Sequence, residues 1–314
     1  MELRVMIEPQ QGATYEDQVR FARHAEACGF PGFFRSDHLA RIGPGDPGPG
    51  PTDVWLTLAG LALETQTIRL GAMLSCATFR LPGLLAVQIA QVDAMSGGRL
   101  DVGLGAGWFE PEHMSYGIPF PPPAERRARW EEQLDVLSGI WATPPGSTFD
   151  YRGQFYTLVG CPCLPRPVQS PHPPLIVGGK GSRRTPGIAA KYANEYNIAF
   201  ETVENEAAQF ERVRAACRGV DRDPDSLVLS VAVTTAVGEN SARTAKRIST
   251  IDEDVSRLRA GPGLVGTPDE ALERIRIYQA MGVKRMYLQM KDLHDLDQLD
   301  LVASSILLPA RNIG

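Results

Sequence analysis

The chain is short of positive charge, of cysteine and of long apolar runs, and each shortage closes off a class of protein. Its 32 lysines and arginines are outnumbered by 37 aspartates and glutamates, for a net charge of −5. A surface that holds nucleic acid non-specifically has to be basic. Five cysteines, Cys28, Cys76, Cys161, Cys163 and Cys217, are scattered over 314 residues. That odd set is no disulfide framework and fits a reducing compartment. Cys161-Pro-Cys163 is the one close pair, and no second Cys/His pair completes a zinc site around it, so no metal is expected. No run of about 18 apolar residues offers a membrane span. The opening Met1-Glu2-Leu3-Arg4-Val5-Met6-Ile7 lacks the basic-then-apolar pattern of a secretory leader. The expectation is a cytoplasmic protein with no nucleic-acid or membrane partner.

What remains is ordinary globular material, 43% hydrophobic and 22% charged, arranged with a strong rhythm. Short apolar runs read as buried strands at Leu3–Ile7, Gly32–Ser36, Arg69–Leu74, Leu100–Leu104, Leu175–Val177, Tyr196–Phe200, Leu227–Val237 and Arg285–Met290. Amphipathic helices alternate with them at Thr14–Ala27, Asp53–Glu64, Pro82–Met95, Ala124–Trp141, Arg183–Tyr192, Val203–Cys217, from Thr267 to Met281, and Asp297–Leu308. Thr14 with Asp17, and Thr267 with Glu270, are helix starts. Thr143–Pro173 breaks the rhythm as an insertion before strand five that could hold a small hairpin, and Ser241–Leu258, polar and charged, reads as an extra helix or a mobile excursion after strand seven. Gly43–Pro51 reads as a flexible loop.

Eight strand–helix alternations predict parallel strands with helical crossovers, a (β/α)₈ TIM barrel occupying residues 1–314 as one domain. Alternation alone also permits an open doubly wound sheet. In a barrel the active site gathers where strands end and the following loops begin. Those positions hold Glu8, Asp37 and His38, Ser75, Cys76 and Thr78, Gly105-Ala106-Gly107-Trp108, Gly178-Gly179-Lys180-Gly181-Ser182, and Gln289 with Lys291. The glycine-rich turn at Gly178–Ser182 leads from a strand into a helix, where bare backbone N–H groups favour an anion. It is neither a Walker motif nor a dinucleotide fingerprint.

Ser96-Gly97-Gly98-Arg99-Leu100 through Gly105-Ala106-Gly107-Trp108, with Ser36-Asp37-His38, Thr78-Phe79-Arg80, Pro165-Arg166-Pro167-Val168-Gln169, Gly178-Gly179 and Gly266-Thr267-Pro268, resembles the luciferase-like flavin oxidoreductases. Glu112, Tyr116–Phe120 and Glu125-Arg126 resemble their actinobacterial, coenzyme F420-dependent branch. The resemblance implies a luciferase-like barrel with its insertion before strand five, and a cytoplasmic enzyme, possibly a homodimer. It would transfer a hydride between the deazaflavin and a small organic substrate. An FMN-dependent monooxygenase, or a cofactor-binding protein without turnover, are the alternatives. The cofactor would lie in the barrel mouth against Asp37, Met73, Leu74, Cys76, Gly105, Ala106, Gly107 and Trp108, with its phosphate on Gly178, Gly179, Gly181 and Ser182. Lys180, Arg41 or Arg183 could meet an acidic tail. A non-prolyl cis peptide is implied within Met73–Cys76, most directly at Met73–Leu74. Trp108 stands where sugar-phosphate dehydrogenases of the superfamily carry an acidic residue, which points to a more apolar substrate. His38 is the expected catalytic residue. It follows strand two, it titrates in the working pH range, and it matches the active-site histidine of related deazaflavin enzymes.

Overall fold

A computed structural model of the chain describes residues 1–249, 251, 255–261 and 263–312. The barrel strands are β1 (Glu2–Ile7), β2 (Gly32–Arg35), β3 (Arg69–Ala72) continued by β4 (Ser75–Cys76), β5 (Leu100–Gly105), β8 (Leu175–Gly178), β9 (Glu195–Ala199), β10 (Val228–Val237) and β12 (Arg285–Met290). All pair in parallel in that order, and β12 returns to β1, so the sheet closes into a ring of eight. The hairpin β6 (Phe149–Arg152) with β7 (Thr157–Cys161) occupies the insertion before β8. The crossover helices are α1 (Tyr15–Ala27), α2 (Val54–Glu64), α3 (Pro82–Met95), α5 (Pro123–Ala142), α6 (Arg184–Tyr192), α7 (Val203–Arg218) and α10 (Pro268–Ala280). Thr14 and Asp17, and Thr267 and Glu270, form the capping boxes that their sequence predicts. Among the described residues no helix is long and apolar enough to cross a membrane.

The Met73–Leu74 cis peptide falls where the resemblance implies it, and the structure refines some elements and adds others. Strand three does not run unbroken to Leu74: it stops at Ala72, the Met73–Leu74 peptide is cis, and pairing resumes at Ser75. A short helix, α4 (Glu110–Ser115), follows β5, with Pro111 in its first turn. After β10 come α8 (Ser241–Ile248), capped by Asn240, and α9 (Val255–Ala260); part of the predicted excursion lies outside the described residues. A further strand, β11 (Gly263–Gly266), pairs with the overhanging end of β10; four residues bracketed by glycine carry too little pattern to read. The final helix begins at Leu296, capped by Asp295, as α11 (Leu296–Val302). It passes through a π turn at Ala303–Leu307 into α12 (Leu308–Asn312).

The main core lies between strands and helices. Inside the ring, Met6, Phe34, Met73, Ile176, Ala232 and Tyr287 fill the barrel's middle. The amino-terminal end of the ring is closed by charge. Arg4 pairs with Glu2 and Asp101, Arg69 with Asp101, and Arg285 with Glu2 and Glu195, while the Tyr287 hydroxyl donates to Glu195 at 2.8 Å. Three guanidinium groups thus face three carboxylates. Burial alone would lift the Glu2 carboxyl, but Arg4 and Arg285 outweigh it and hold its pKa below the usual value. Much of the Ser96–Arg99 signature serves this end too. The Arg99 guanidinium donates to the Ala62 and Ile68 carbonyls at 2.8 Å, and Asp93 accepts from the Val168 and Gln169 amides at 2.8 and 2.9 Å.

Candidate active site

The opposite, carboxyl-terminal end gathers the residues singled out in the sequence. Asp37 follows β2 and is buried. Its carboxylate accepts from Ser75 Oγ at 3.0 Å, from the Cys76 amide at 3.1 Å, and from both terminal nitrogens of Arg80. The second nitrogen of Arg80 also reaches Asp53, the cap of α2, at 2.6 Å. Burial works against the Arg80 charge, yet Asp37 and Asp53 overcome it and raise its pKa. Asp37 was expected as a cofactor contact. In the structure these bonds tie it to the bulge at Met73–Cys76.

That bulge sends the Leu74 side chain across neighbouring strands, and glycines make room for it. A Cβ on Gly105 would lie 3.1 Å from Leu74 Cδ1, and one on Gly178 would lie 2.7 Å from the same atom. A Cβ on Gly103 would come 2.1 Å from the Ala72 carbonyl oxygen. With Met73 below, Leu74 gives the mouth an apolar floor.

His38 stands beside this floor. Its Nδ1 donates to Glu112 at 3.1 and 3.2 Å, and the Leu39 amide donates to the same carboxylate at 2.8 Å. Glu112, on α4, is buried. A carboxylate on Nδ1 fixes the tautomer and leaves Nε2 for a substrate. The rings of Trp108 and Phe109 meet the imidazole edge-on at 5.6 and 6.0 Å. Trp108 is 62% exposed.

Gly107 turns the chain into this aromatic pair with φ +78°, and a Cβ there would sit 2.5 Å from Cys76 Sγ. Beneath it runs a relay. Cys76 Sγ lies 2.8 Å from Thr78 Oγ1, which lies 2.7 Å from His113 Nε2, and His113 Nδ1 lies 2.8 Å from the Phe109 carbonyl. The carbonyl can only accept, so Nδ1 carries a proton; with the ring neutral, Nε2 then accepts from Thr78, which in turn accepts from the thiol. Burial raises the Cys76 pKa to about 12, so the thiol stays protonated and is a donor, not a nucleophile. The sequence reading assigned no role to His113, Arg80 or Glu112. Arg80 and Glu112 stood in the family-like motifs while His113 did not, and their partners come largely from other loops.

The Gly178–Ser182 turn closes the site. Gly179 has φ +134°, and a Cβ on Gly181 would meet Thr185 Oγ1 at 2.5 Å. Tyr196 Oη donates to the Gly179 carbonyl at 2.6 Å and Gln209 Nε2 to the Gly181 carbonyl at 2.9 Å. These bonds fix the carbonyls of the turn. The Gly179 N–H is engaged by the Asn197 carbonyl at 3.3 Å, which leaves Gly181 and Ser182 as the amides suited to an anion. Of the cations considered for an acidic tail, Lys180 pairs with Glu201 at 2.7 Å, and Arg41 donates to the Gln11 and Pro44 carbonyls at 2.7 Å. Arg183 is exposed at the head of α6. Across the mouth Lys291 pairs with Glu8 at 3.0 Å.

Residues 1–256 match the luciferase-like monooxygenases. The chain belongs to the luciferase-like monooxygenase family. Over 134 residues it is 35% identical to an FMNH2-dependent dimethylsulfone monooxygenase of Pseudomonas putida, covering 43% of this chain and 36% of that one. Over 246 residues it is 29% identical to the pyrimidine monooxygenase RutA of Stutzerimonas stutzeri, covering 74% and 64%. It therefore spans less than two thirds of either relative. An uncharacterized protein of Mycobacterium bovis, Mb0978c, is 30% identical over 178 residues, 52% of this chain and 60% of that one. In fold, an F420-dependent secondary alcohol dehydrogenase in complex with an F420-acetone adduct superposes with a TM-score of 0.84 at 16% identity, over 98% of both chains. The monooxygenase RslO1 from Streptomyces bottropensis does so at 0.82 and 22%, over 98% and 99%. Solved structures of this fold include F420-dependent enzymes and a monooxygenase in complex with FMN.

Proposed function

We propose that this family member is a coenzyme F420-dependent oxidoreductase acting on a small, uncharged organic substrate. The observation that carries the reading is the His38–Glu112 pair at the mouth, with Nδ1 held by a buried carboxylate and Nε2 left for chemistry. The residues fit a deazaflavin: Leu74 offers a flat apolar floor, and the Gly181 and Ser182 amides suit its phosphate. When bound, that cofactor supplies a carbon that gives or takes a hydride. His38 gives or takes the matching proton at Nε2 on the substrate heteroatom, and Glu112 steadies the imidazolium that forms. Trp108 and Phe109 exclude water and favour an apolar substrate body. The charges at the rim, Glu8 with Lys291 and Lys180 with Glu201, neutralise one another and so favour an uncharged substrate.

A titration of the protein with F420 and with FMN, followed by fluorescence, tests this reading. F420 should bind about tenfold or more tighter, and the reduced form should turn over with carbonyl substrates without oxygen. Tighter FMN binding with oxygen-dependent turnover would overturn it in favour of an FMN monooxygenase, the reading that the dimethylsulfone monooxygenase relative favours. The same proposal includes a homodimer. Leu56 and Leu63 on α2 and Leu84 on α3 are 76%, 67% and 65% exposed on neighbouring helices, an apolar surface of the kind that pairs with itself. Sedimentation should give a dimer, reduced to monomer by Leu84→Glu.

A further inference from the structure

Far from the mouth, on the outside of the barrel, three side chains of metal-ligand type converge. His24 and Cys28 stand four residues apart at the end of α1, so they share one helix face. Asp300 approaches them from α11. His24 Nε2 lies 2.8 Å from Asp300 Oδ1, Cys28 Sγ lies 3.3 Å from the same oxygen, and all three donor atoms fall within 4.8 Å of one another. Donors around a tetrahedral zinc stand roughly 3.3–3.8 Å apart, given bonds of about 2.0–2.3 Å, so small rotamer changes would bring this set into place.

We propose that His24, Cys28 and Asp300 form a zinc-type metal site that clamps α1 to α11, with water as the fourth ligand. The donor set, one imidazole, one thiolate and one carboxylate, suits a borderline-soft divalent ion. The carboxyl end of α1 adds its partial negative charge. The π turn at Ala303–Leu307 begins three residues after Asp300, and such turns cluster at functional places in helices. Ser304 Oγ donates to the Asp300 carbonyl at 2.7 Å and steadies this part of the helix. Asp297 and Glu239 line the same cleft, and both lie within 4 Å of Arg243. A cysteine thiol ordinarily carries its proton at neutral pH. Binding at neutral pH therefore breaks the S–H bond, forms the metal–sulfur bond, and releases one proton to solvent.

The test is titration of the EDTA-treated, reduced full chain with Co²⁺ and Zn²⁺. The expected result is one Co²⁺ per chain with a thiolate-to-cobalt charge-transfer band, and release of one proton per Zn²⁺. The band should vanish in Cys28→Ser. Affinity should fall about tenfold or more in His24→Ala, at a half-buried position, and in Asp300→Asn, at an exposed one, with the circular dichroism spectrum intact in both. Zn²⁺ should raise the thermal midpoint of the parent and not that of Cys28→Ser. Absence of the band in the parent would overturn the site. So would its persistence in Cys28→Ser, which would move the thiolate to Cys161 or Cys163.

Discussion

The two ends of the barrel use the same ingredients to opposite effect. At the amino-terminal end, Arg4, Arg69 and Arg285 meet Glu2, Asp101 and Glu195, and each charge is answered by another. At the carboxyl-terminal end the ion pairs are one-sided. Glu112 on α4 takes one nitrogen of His38 and Arg80 takes Asp37, and beside them stand groups with no partner among the described residues, the other imidazole nitrogen and the Gly181 and Ser182 amides. Closed pairing gives stability and nothing to react with, while half-closed pairing orients a group and leaves it usable.

The sharpest way to break this contrast is at the closed end. Asp101→Ala leaves Arg4 and Arg69 without their shared carboxylate, and should lower the unfolding free energy by about 3–5 kcal/mol in denaturant melts, with cofactor affinity of the folded protein unchanged. A loss below about 1 kcal/mol would mean that the charges are not mutually dependent. At the open end the order reverses. His38→Ala should cost about 100-fold or more in turnover with cofactor affinity and melting temperature nearly kept, and Glu112→Gln should cost less while moving the acid limb of the pH–rate profile. If His38→Ala turned over at the parent rate, the catalytic assignment would be abandoned. Gly181→Val places a branched side chain against Thr185 and should weaken cofactor binding about tenfold, the size expected for losing one charge-assisted contact; unchanged affinity would remove the phosphate from this turn.

A separate effect comes from a carboxyl that belongs to neither end. Glu206 is buried on α7 beside Tyr278 and Arg274, and burial lifts its pKa to about 8. A folded pKa raised above the unfolded value means that the folded protein holds the proton more tightly. Its contribution is therefore full below about pH 4.5 and is lost as pH rises to about 8. The expected slope is at most about 1.4 kcal/mol per pH unit. Glu206→Gln should flatten the stability profile between pH 5 and 8. An unchanged profile would show that Glu206 ionises normally.

The sequence made the barrel legible because each of its repeating units announces itself locally, through capping residues such as Thr14 and Thr267 and through apolar runs such as Leu175–Val177. It was silent on β11, whose pairing depends on the overhang of β10, and on α4, six residues with no apolar stripe. The candidate site was half legible. His38, Gly107 and the Gly178–Ser182 turn follow from their place after strands. The hold of Arg80 on Asp37, 43 residues away, had no local signal. Residues Ser96–Arg99, which helped to identify the family, lie at the opposite end from the chemistry.

The placement of Leu74 restricts how this sequence can drift. One side chain occupies the space that side chains on Gly105 and Gly178 would need. Gly178 is also hemmed in by the Asn197 carbonyl at 3.0 Å, and Gly103 by the Ala72 carbonyl, so trimming residue 74 would not free them. Gly105 is different, since Leu74 is the neighbour that crowds it, and at 3.1 Å that side chain need give by only a few tenths of an ångström. A smaller residue at 74 therefore eases alanine at 105, and descendants that remodelled the floor of the mouth would tend to carry the two changes together.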